Sequence, residues 1–143
     1  MIWGDIRLTF EDYFSRENFS FEIVHAEDPM DTECTAVLKV GNGRREQKVK
    51  IVLENEANIN YLRVLSPIVR TEKCSKEQLI RLMEQNTSSV DLAVGVLGKE
   101  VVFTTLVPQR EFETDPASLG DAMKNLARKA DQIETLLFGS DHF

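Results

Sequence analysis

The stretch "LMEQNTSSVDLAVGVLGKEVVFTTLVP", residues 82–108, decides how the second half of this chain folds. Its first residues end a helical pattern, a polar break follows, and an apolar run is then interrupted by the dipeptide Gly98-Lys99. Apolar segments on both sides of a tight turn predict a β-hairpin over residues 90–108. Both arms are apolar on both faces, which is typical of strands inside a sheet or covered by a second surface. The stretch therefore predicts a helix-to-sheet junction without an evident catalytic motif.

A helix with a marked beginning precedes the junction. In "SKEQLIRLMEQN" (75–86) Ser75 and Gln78 have the spacing of a capping box, in which each side chain bonds the other residue's backbone N–H. Asn86 suits the left-handed conformation that ends many helices. We expect three residues to form the inward stripe of this helix and Ile80 to lie off it; the three are Leu79, Leu82 and Met83.

A longer helix follows the hairpin. Asp115 is placed to cap it and Pro116 to occupy its first position, while Gly139 ends it after about residue 138. Apolar residues recur at steps of three and four along this segment, which indicates one buried face. They are Leu119, Ala122, Met123, Leu126, Ala130, Ile133 and Leu137.

The first half of the chain has strand patterns after one short helix. The pattern predicts a helix over about 9–17, and period-two alternation predicts strands at 19–27, 34–40, 46–54 and 59–70. The dipeptide Asn42-Gly43 favours a tight hairpin turn between the second and third of these strands. Since Pro67 has no N–H to donate, we place its part of the last strand at an edge or a bulge.

These elements define the expected fold class. We predict a single α+β domain over 1–143, with an antiparallel sheet of five or six strands and helices packed on one face. The order of elements is α-β-β-β-(β)-α-β-β-α, and the tail at 139–143 is expected to be frayed.

Charge and cysteine content narrow the class of protein. The formal charge is −7, and residues 1–33 carry nine acidic and two basic side chains. That field disfavours nucleic acid and anionic lipid as partners, and no apolar run is long enough for a membrane span. We expect a cytoplasmic protein in which Cys34 and Cys74 are reduced, packed thiols rather than a disulfide.

A search for reactive groups predicts no catalytic, cofactor or metal site. His25 and His142 lie far apart, and the two cysteines have no ligand-like spacing. The acidic turn formed by Glu27, Asp28, Asp31 and Glu33 lacks the glycine and spacing of a calcium loop. No pair of carboxylates stands out for acid–base work, and no nucleophile elbow or glycine-rich phosphate loop is present. An enzyme is therefore not expected.

More apolar side chains than usual lie on the helix and strand faces that are predicted to be exposed to water. This surplus predicts that the monomer keeps apolar area for a partner, including a copy of itself. The candidate partner-binding residues are Phe10, Tyr13, Phe14, Val24 and Val52, and the candidate dimer contacts are Ile80, Val94 and Val96.

Residues 75–138 resemble the second half of the type III secretion chaperone-like superfamily, in particular its YbjN-type branch, often labelled sensory transduction regulator-like. The resemblance rests on a helix ending near an asparagine, a strand with a small residue at its middle, a turn glycine, and a strand ending in Leu-x-Pro before a long helix. In this sequence the matching residues are Asn86, Gly95, Gly98, Leu106 to Pro108, Leu119 and Ala130.

The resemblance implies a function that composition alone does not. Secretion chaperones of this superfamily are small, acidic, cytoplasmic homodimers that are not enzymes and that hold an effector segment in extended form. The leading hypothesis is thus a non-catalytic module that binds a polypeptide client through apolar patches. The alternative is a ligand-sensing regulatory domain with a small molecule between sheet and helices, and its pocket would be more closed than a peptide groove.

Overall fold

The computed structural model describes residues 12–13, 20–22, 33–40, 45–88 and 91–138. Within them the chain is an α+β protein with one antiparallel sheet, as the sequence predicts. Its strands are β1 (Ser20–Glu22), β2 (Glu33–Val40), β3 (Arg45–Glu56), β4 (Ile59–Arg70), β5 (Ala93–Leu97) and β6 (Glu100–Pro108).

The strands lie in the order β1-β2-β3-β4-β6-β5, and each neighbouring pair is antiparallel. The hairpin predicted over 90–108 is present, with its turn at Gly98, whose φ is +61°. Its two arms differ, because β6 lies inside the sheet whereas β5 lies at its edge. Of the two alternatives predicted for the arms, β6 is an interior strand, whereas β5 lies at the edge of the sheet, where α1 packs against it.

The described helices beyond residue 70 are α1 (Lys76–Ser88), the short α2 (Gln109–Thr114) and α3 (Ala117–Phe138), and a 3₁₀ turn at Thr71–Lys73 precedes α1. The short α2 was not predicted, because six residues give too little periodicity to detect. Its Phe112 is nevertheless fully buried. The cap of α3 is as predicted, since Asp115 Oδ1 accepts a hydrogen bond from the Ala117 N–H at 3.2 Å.

The core lies between α3 and the sheet. Strand register places Ile51 opposite Val64, and both side chains are fully buried. The long helix packs against β2, β3, β4 and β6, so it covers the middle of the sheet. Of its predicted inward residues, Leu119, Met123, Leu126 and Ala130 are fully buried, while Ala122, Ile133 and Leu137 pack partly buried against the core.

The helix α1 lies beside the sheet's edge instead of over its middle. Its capping box is present: Gln78 Oε1 accepts from the Ser75 N–H at 2.9 Å, and Ser75 Oγ accepts from the Gln78 N–H at 3.1 Å. The predicted inward stripe is wrong in two of its three positions. Leu82 is fully buried, but Leu79 is 36% exposed and Met83 47% exposed. A helix that packs mainly against one edge strand has fewer of its side chains covered than one lying across a sheet.

Pro67 lies at a β-bulge in the middle of the sheet, where the pairing of β4 with β6 shifts between Pro67 and Val69. The buried amide of Gln47 stabilises this irregularity, because its Nε2 donates to Ser66 Oγ and to the Pro67 carbonyl, both at 3.0 Å. Ser66 Oγ in turn donates to the Lys48 carbonyl at 2.9 Å. Of the two predicted placements of Pro67, the bulge is confirmed.

A salt bridge joins α3 to the beginning of β3. Arg45 Nη2 lies 2.8 Å from Asp131 Oδ2, and its Nη1 donates to Thr135 Oγ1 at 3.2 Å. Asp131 is only 4% exposed, so the buried carboxylate has a charged partner within hydrogen-bond distance. None of the described helices is long and apolar enough to cross a membrane.

Several predictions fall wholly or partly on residues that the structure does not describe. Asp12 and Tyr13 are helical, and the rest of the predicted 9–17 helix lies outside the described residues. The same holds for most of the predicted strand 19–27, for the turn at Asn42-Gly43 and for the tail at 139–143.

Candidate functional site

A depression of about 380 Å³ lies on the face of the sheet opposite α3, across β3, β4, β6 and β5. We call this depression the trough. Its apolar lining consists of Val52, Leu65, Gly95, Val96, Leu97 and Val102, and its polar lining consists of Glu54, Arg63 and Thr104.

Strand register explains why these residues meet. Arg63 is the partner of Val52, Thr104 that of Leu65, and Val102 that of Gly95. Directly paired residues of antiparallel strands point to the same face, and successive residues alternate between faces. The neighbours of Arg63, Thr104 and Val102 along β4 and β6 therefore face the helices. On β5, Gly95 and Leu97 lie on the trough face, whereas Val96, the partner of the buried Val101, lies on the face toward the helices. Leu65 and Val102, which are 6% and 4% exposed, are the most buried of the apolar lining.

The polar end of the trough is built around one guanidinium group. Arg63 Nε donates to Glu54 Oε1 at 2.8 Å, and Arg63 Nη1 donates to Thr104 Oγ1 at 3.2 Å. The two charged side chains remain 29% and 36% exposed, so a ligand can approach them. Among the described residues, no hydrogen bond engages Arg63 Nη2 or Glu54 Oε2. The trough thus presents a donor and an acceptor side by side at one end of an apolar surface.

The trough reaches the edge of the sheet at β5. Val94 N donates to Asn86 Oδ1 at 2.6 Å, and Asn86 Nδ2 donates to the Val94 carbonyl at 3.5 Å, so the backbone groups of Val94 face away from β6. Outward-facing backbone groups recur at every second residue of an edge strand. Val96 therefore also directs its N–H and C=O outward, and no described residue pairs with them.

Gly95 opens the trough toward this edge. A Cβ placed on Gly95 would have no heavy atom within 4 Å, so the missing side chain leaves open space next to Val102. The side chain of a larger residue at this position would extend into that space, and its Cβ would not clash with a neighbouring atom. Gly95 is thus a position where the trough can be narrowed while the strand is kept.

A second apolar surface lies on the other side of the same edge. The helix α1 packs against β5, and the hydrogen bond from the Thr71 N–H to the Lys99 carbonyl holds the 3₁₀ turn that precedes α1 next to the hairpin turn. The large apolar side chains exposed on these two elements form what we call the edge patch. It consists of those on the side of α1, namely Leu79, Ile80, Met83 and Val96, which are 36 to 58% exposed.

The structure separates the candidate partner-binding residues. Val52 lies in the trough. Tyr13 is half-buried and packs against the core, with its ring next to Gly120 of α3. Phe10, Phe14 and Val24 lie outside the described residues, so the predicted cluster of five is not seen as one surface.

The candidate dimer contacts also differ from one another. Ile80 is 51% exposed and Val96 is 58% exposed, and both belong to the edge patch. Val94 is 7% exposed, so its side chain belongs to the core. Sequence reasoning did not select Arg63, Glu54 or Gly95 as functional residues. One signal for Arg63 was present in the sequence, since it is a charged residue among the apolar residues of β4. Its partner Glu54 could be identified only from the register of β3 with β4.

The site expected for a ligand sensor, between sheet and helices, is occupied by protein side chains. Phe103 of β6 and Met123 of α3 are each 2% exposed or less and belong to one continuous core cluster. Within the described part of the chain, no group of three or more His, Cys, Asp or Glu side chains is arranged to hold a metal ion.

No protein-family model, curated protein or solved structure matches this chain. The resemblance to type III secretion chaperones stays a prediction from the sequence pattern of residues 75–138.

Proposed function

We propose that this protein is a non-catalytic binding module, similar to type III secretion chaperones, that holds an extended segment of a polypeptide client along β5. The observation that supports this most directly is the outward-facing N–H and C=O of Val96 beside the trough. An unpaired backbone pair at a sheet edge is what an added strand requires.

The trough and the edge patch, on the two faces of the sheet at β5, would contact the client's side chains. Side chains of an added strand alternate between the two faces of the sheet. One row would enter the trough next to Gly95, and the other would contact the part of the edge patch beside Val96. Backbone hydrogen bonds of about 0.5–1.5 kcal/mol each would then act together with burial of apolar area.

A homodimer is part of the same proposal. The exposed Ile80 and Met83 form an apolar surface on α1, and a twofold contact would bury this surface against its own copy. Light scattering at micromolar concentration should give twice the protomer mass of 16.3 kDa. Ile80→Glu should return the protein to the protomer mass, and a wild-type protein that is monomeric would contradict the dimer.

Client binding can be tested with two variants of β5. A solid-phase library of extended peptides, labelled and ranked by fluorescence anisotropy, serves as the probe. Val96→Pro removes the outward N–H, a change that edge strands tolerate because that group is not part of the ladder. Gly95→Leu fills the trough. Each variant should lower the affinity for the best-binding peptide by tenfold or more, while the melting temperature of the protein changes little.

The matched control is Leu136→Ala on α3. Leu136 is 75% exposed and lies on the helical layer, away from β5, so its loss should leave peptide affinity unchanged. If Val96→Pro and Gly95→Leu bind peptides as the wild type does, the client is not held at β5.

Ligand sensing remains the second candidate function because the trough has the volume of a small-molecule site. A thermal-shift screen with metabolites would test it. A compound that raises the melting temperature of the wild type but not of Gly95→Leu would favour sensing over peptide binding.

A further inference from the structure

The open edge of β5 fixes the register of an added strand. Asn86 bonds the outward N–H and C=O of Val94, so within β5 the outward pair that no described residue engages belongs to Val96. In antiparallel pairing, one residue of each strand exchanges both hydrogen bonds with the residue opposite. One client residue therefore pairs with Val96, and the client residue that follows it lies opposite Gly95.

Neither the backbone nor the packing of the described chain requires glycine at this position. Of the described glycines, only Gly98 has a positive φ, whereas Gly95 continues the ladder opposite Val102. A Cβ added to Gly95 would meet no heavy atom within 4 Å. Glycine weakens the interior of a strand, and such positions often mark the close approach of a ligand or another chain.

The register also determines where the client's side chain points. Gly95 lies on the trough face of β5, so the client residue opposite it points into the trough as well. This pair is not joined by hydrogen bonds, and in such pairs the side chains of the two strands come closer together. Because neighbouring strands lie about 4.8 Å apart, a long side chain can cross Gly95 and contact Val102 on the next strand.

A flat ring fits the space over a glycine. No Cβ separates the ring from the strand, so its face can lie on the backbone of Gly95 while its edges contact Val102 and Leu97. The side chain of Leu97 is 53% exposed and lies in the same row of β5. An aromatic side chain opposite an edge glycine restores stability that the glycine removes from a sheet.

We propose that the client segment carries an aromatic side chain opposite Gly95, directly after the residue that pairs with Val96. This inference rests on the proposed polypeptide-binding function and specifies its client. The aromatic residue is within reach because it belongs to the strand next to β5, and its contacts lie on β5 and on the adjacent β6.

Three synthetic peptides test the selection. Each is seven residues long and blocked at both ends, with threonine and valine in alternation and a central test residue in the valine row. The test residue is phenylalanine, leucine or lysine. Fluorescence anisotropy should show the phenylalanine peptide binding about fivefold more tightly than the leucine peptide, because an aromatic cross-strand contact adds to the burial of apolar area. The lysine peptide should bind most weakly.

The variant Gly95→Ala makes the test specific to this position. Its added methyl group would lie between the ring and the strand, while β5 stays intact because no atom lies within 4 Å. The phenylalanine peptide should lose its advantage, and the affinity for the leucine peptide should change little. The melting temperature should stay the same or rise, since alanine destabilises a strand less than glycine does.

A matched control is available on the trough face of β6. Leu106 is the partner of Arg63, so it shares the face of Val102, but it does not line the trough. Its side chain is 41% exposed. Leu106→Ala should therefore leave the ratio of the phenylalanine and leucine affinities unchanged.

Four results would overturn the inference. Equal binding of the phenylalanine and leucine peptides, with both lost in Val96→Pro, refutes aromatic selection and leaves polypeptide binding at β5 intact. A preference for phenylalanine that persists in Gly95→Ala refutes the assignment of the ring to Gly95. No binding of any of the three peptides at millimolar concentration refutes both proposals. Displacement of the phenylalanine peptide by an equal concentration of N-acetylphenylalaninamide would assign the site to a free small molecule instead of a polypeptide.

Discussion

The side-chain carboxamide of Asn86 bonds both backbone groups of Val94. Its oxygen accepts from the Val94 N–H at 2.6 Å, and its nitrogen donates to the Val94 carbonyl at 3.5 Å. These are the two bonds that a neighbouring strand would make at this position. Asn86 therefore shortens the edge of β5 that remains open, which is one way in which proteins limit unwanted strand pairing.

Asn86→Ala should lengthen that open edge. The backbone groups of Val94 would become available beside those of Val96, so we expect stronger concentration-dependent self-association by light scattering. The lost hydrogen bonds should cost about 1 kcal/mol of unfolding free energy. Asn60→Ala is the control, because it removes a half-buried asparagine of the β3–β4 hairpin that bonds Asn55 at 2.6 Å. Unchanged association in Asn86→Ala would contradict the edge-protecting role.

Tyr13 and Gly120 should be energetically coupled. A Cβ at Gly120 would lie 2.8 Å from Tyr13 Cε1, so the ring must shift if alanine replaces the glycine. Alanine also favours the helix by about 1 kcal/mol over glycine. We expect Gly120→Ala to be less favourable in the wild type than in Tyr13→Ala by about 1 kcal/mol or more, measured by urea denaturation of the four proteins in the cycle.

Gly95→Ala is a suitable comparison, since its added methyl group meets no atom within 4 Å. No coupling between Gly95→Ala and Tyr13→Ala is expected. Coupling near zero in the Gly120 cycle would mean that the ring does not rest on α3, and would return Tyr13 to the candidates for partner binding.

The turn between β3 and β4 should be open to stabilisation. Ala57 and Asn58 both have positive φ, 52° and 64°, a backbone conformation that costs an alanine about 1–2 kcal/mol relative to right-handed geometry. Replacing Ala57-Asn58 by Asn-Gly, the preferred pair for such hairpin turns, should raise the melting temperature by several degrees. Calorimetry would measure the change. Asn58→Val should lower the melting temperature, and an increase there would contradict the assigned turn.

Cys74 should react slowly with thiol reagents near neutral pH. Cys74 has no disulfide partner, and partial burial raises the pKa of its thiol above the ordinary value. Since the thiolate is the reactive form, alkylation by iodoacetamide should be slower than in the urea-unfolded protein and should accelerate only at higher pH. The background variant Cys34→Ala ensures that one thiol is measured.

The raised pKa of the Cys74 thiol also makes the stability of the folded protein depend on pH. Because the folded-state pKa lies above the unfolded one, the contribution to stability is complete below the ordinary thiol pKa. It is lost as the pH rises through the raised value. Equal alkylation rates in the folded and unfolded protein would contradict this expectation.

Local signals predicted the elements of the fold well. The capping box at Ser75, the cap at Asp115 and the turn at Gly98 each depend on a few neighbouring residues, and each is present. The Ala57-Asn58 turn was not identified as one, since alanine is not a signal for positive φ.

Predictions that depended on distant neighbours were less successful. Leu79 and Met83 were assigned inward because helical spacing cannot indicate that α1 lies at an edge. The buried Asp131 and Glu134 would not be expected on the inward face of α3. The trough itself required the register of four strands, which determines that Arg63 meets Glu54 and Thr104.

One amide group serves the ends of two helices. Gln78 Oε1 closes the first turn of α1, and its Nε2 donates to the Leu137 carbonyl in the last turn of α3 at 3.0 Å. The final turn of α3 is therefore fastened to the helix that borders β5. A client that displaces α1 would strain this hydrogen bond. Amide hydrogen exchange in the last turn of α3 would then change when a client binds at β5. The order of the last turn of α3 therefore depends on the position of α1 beside the edge strand.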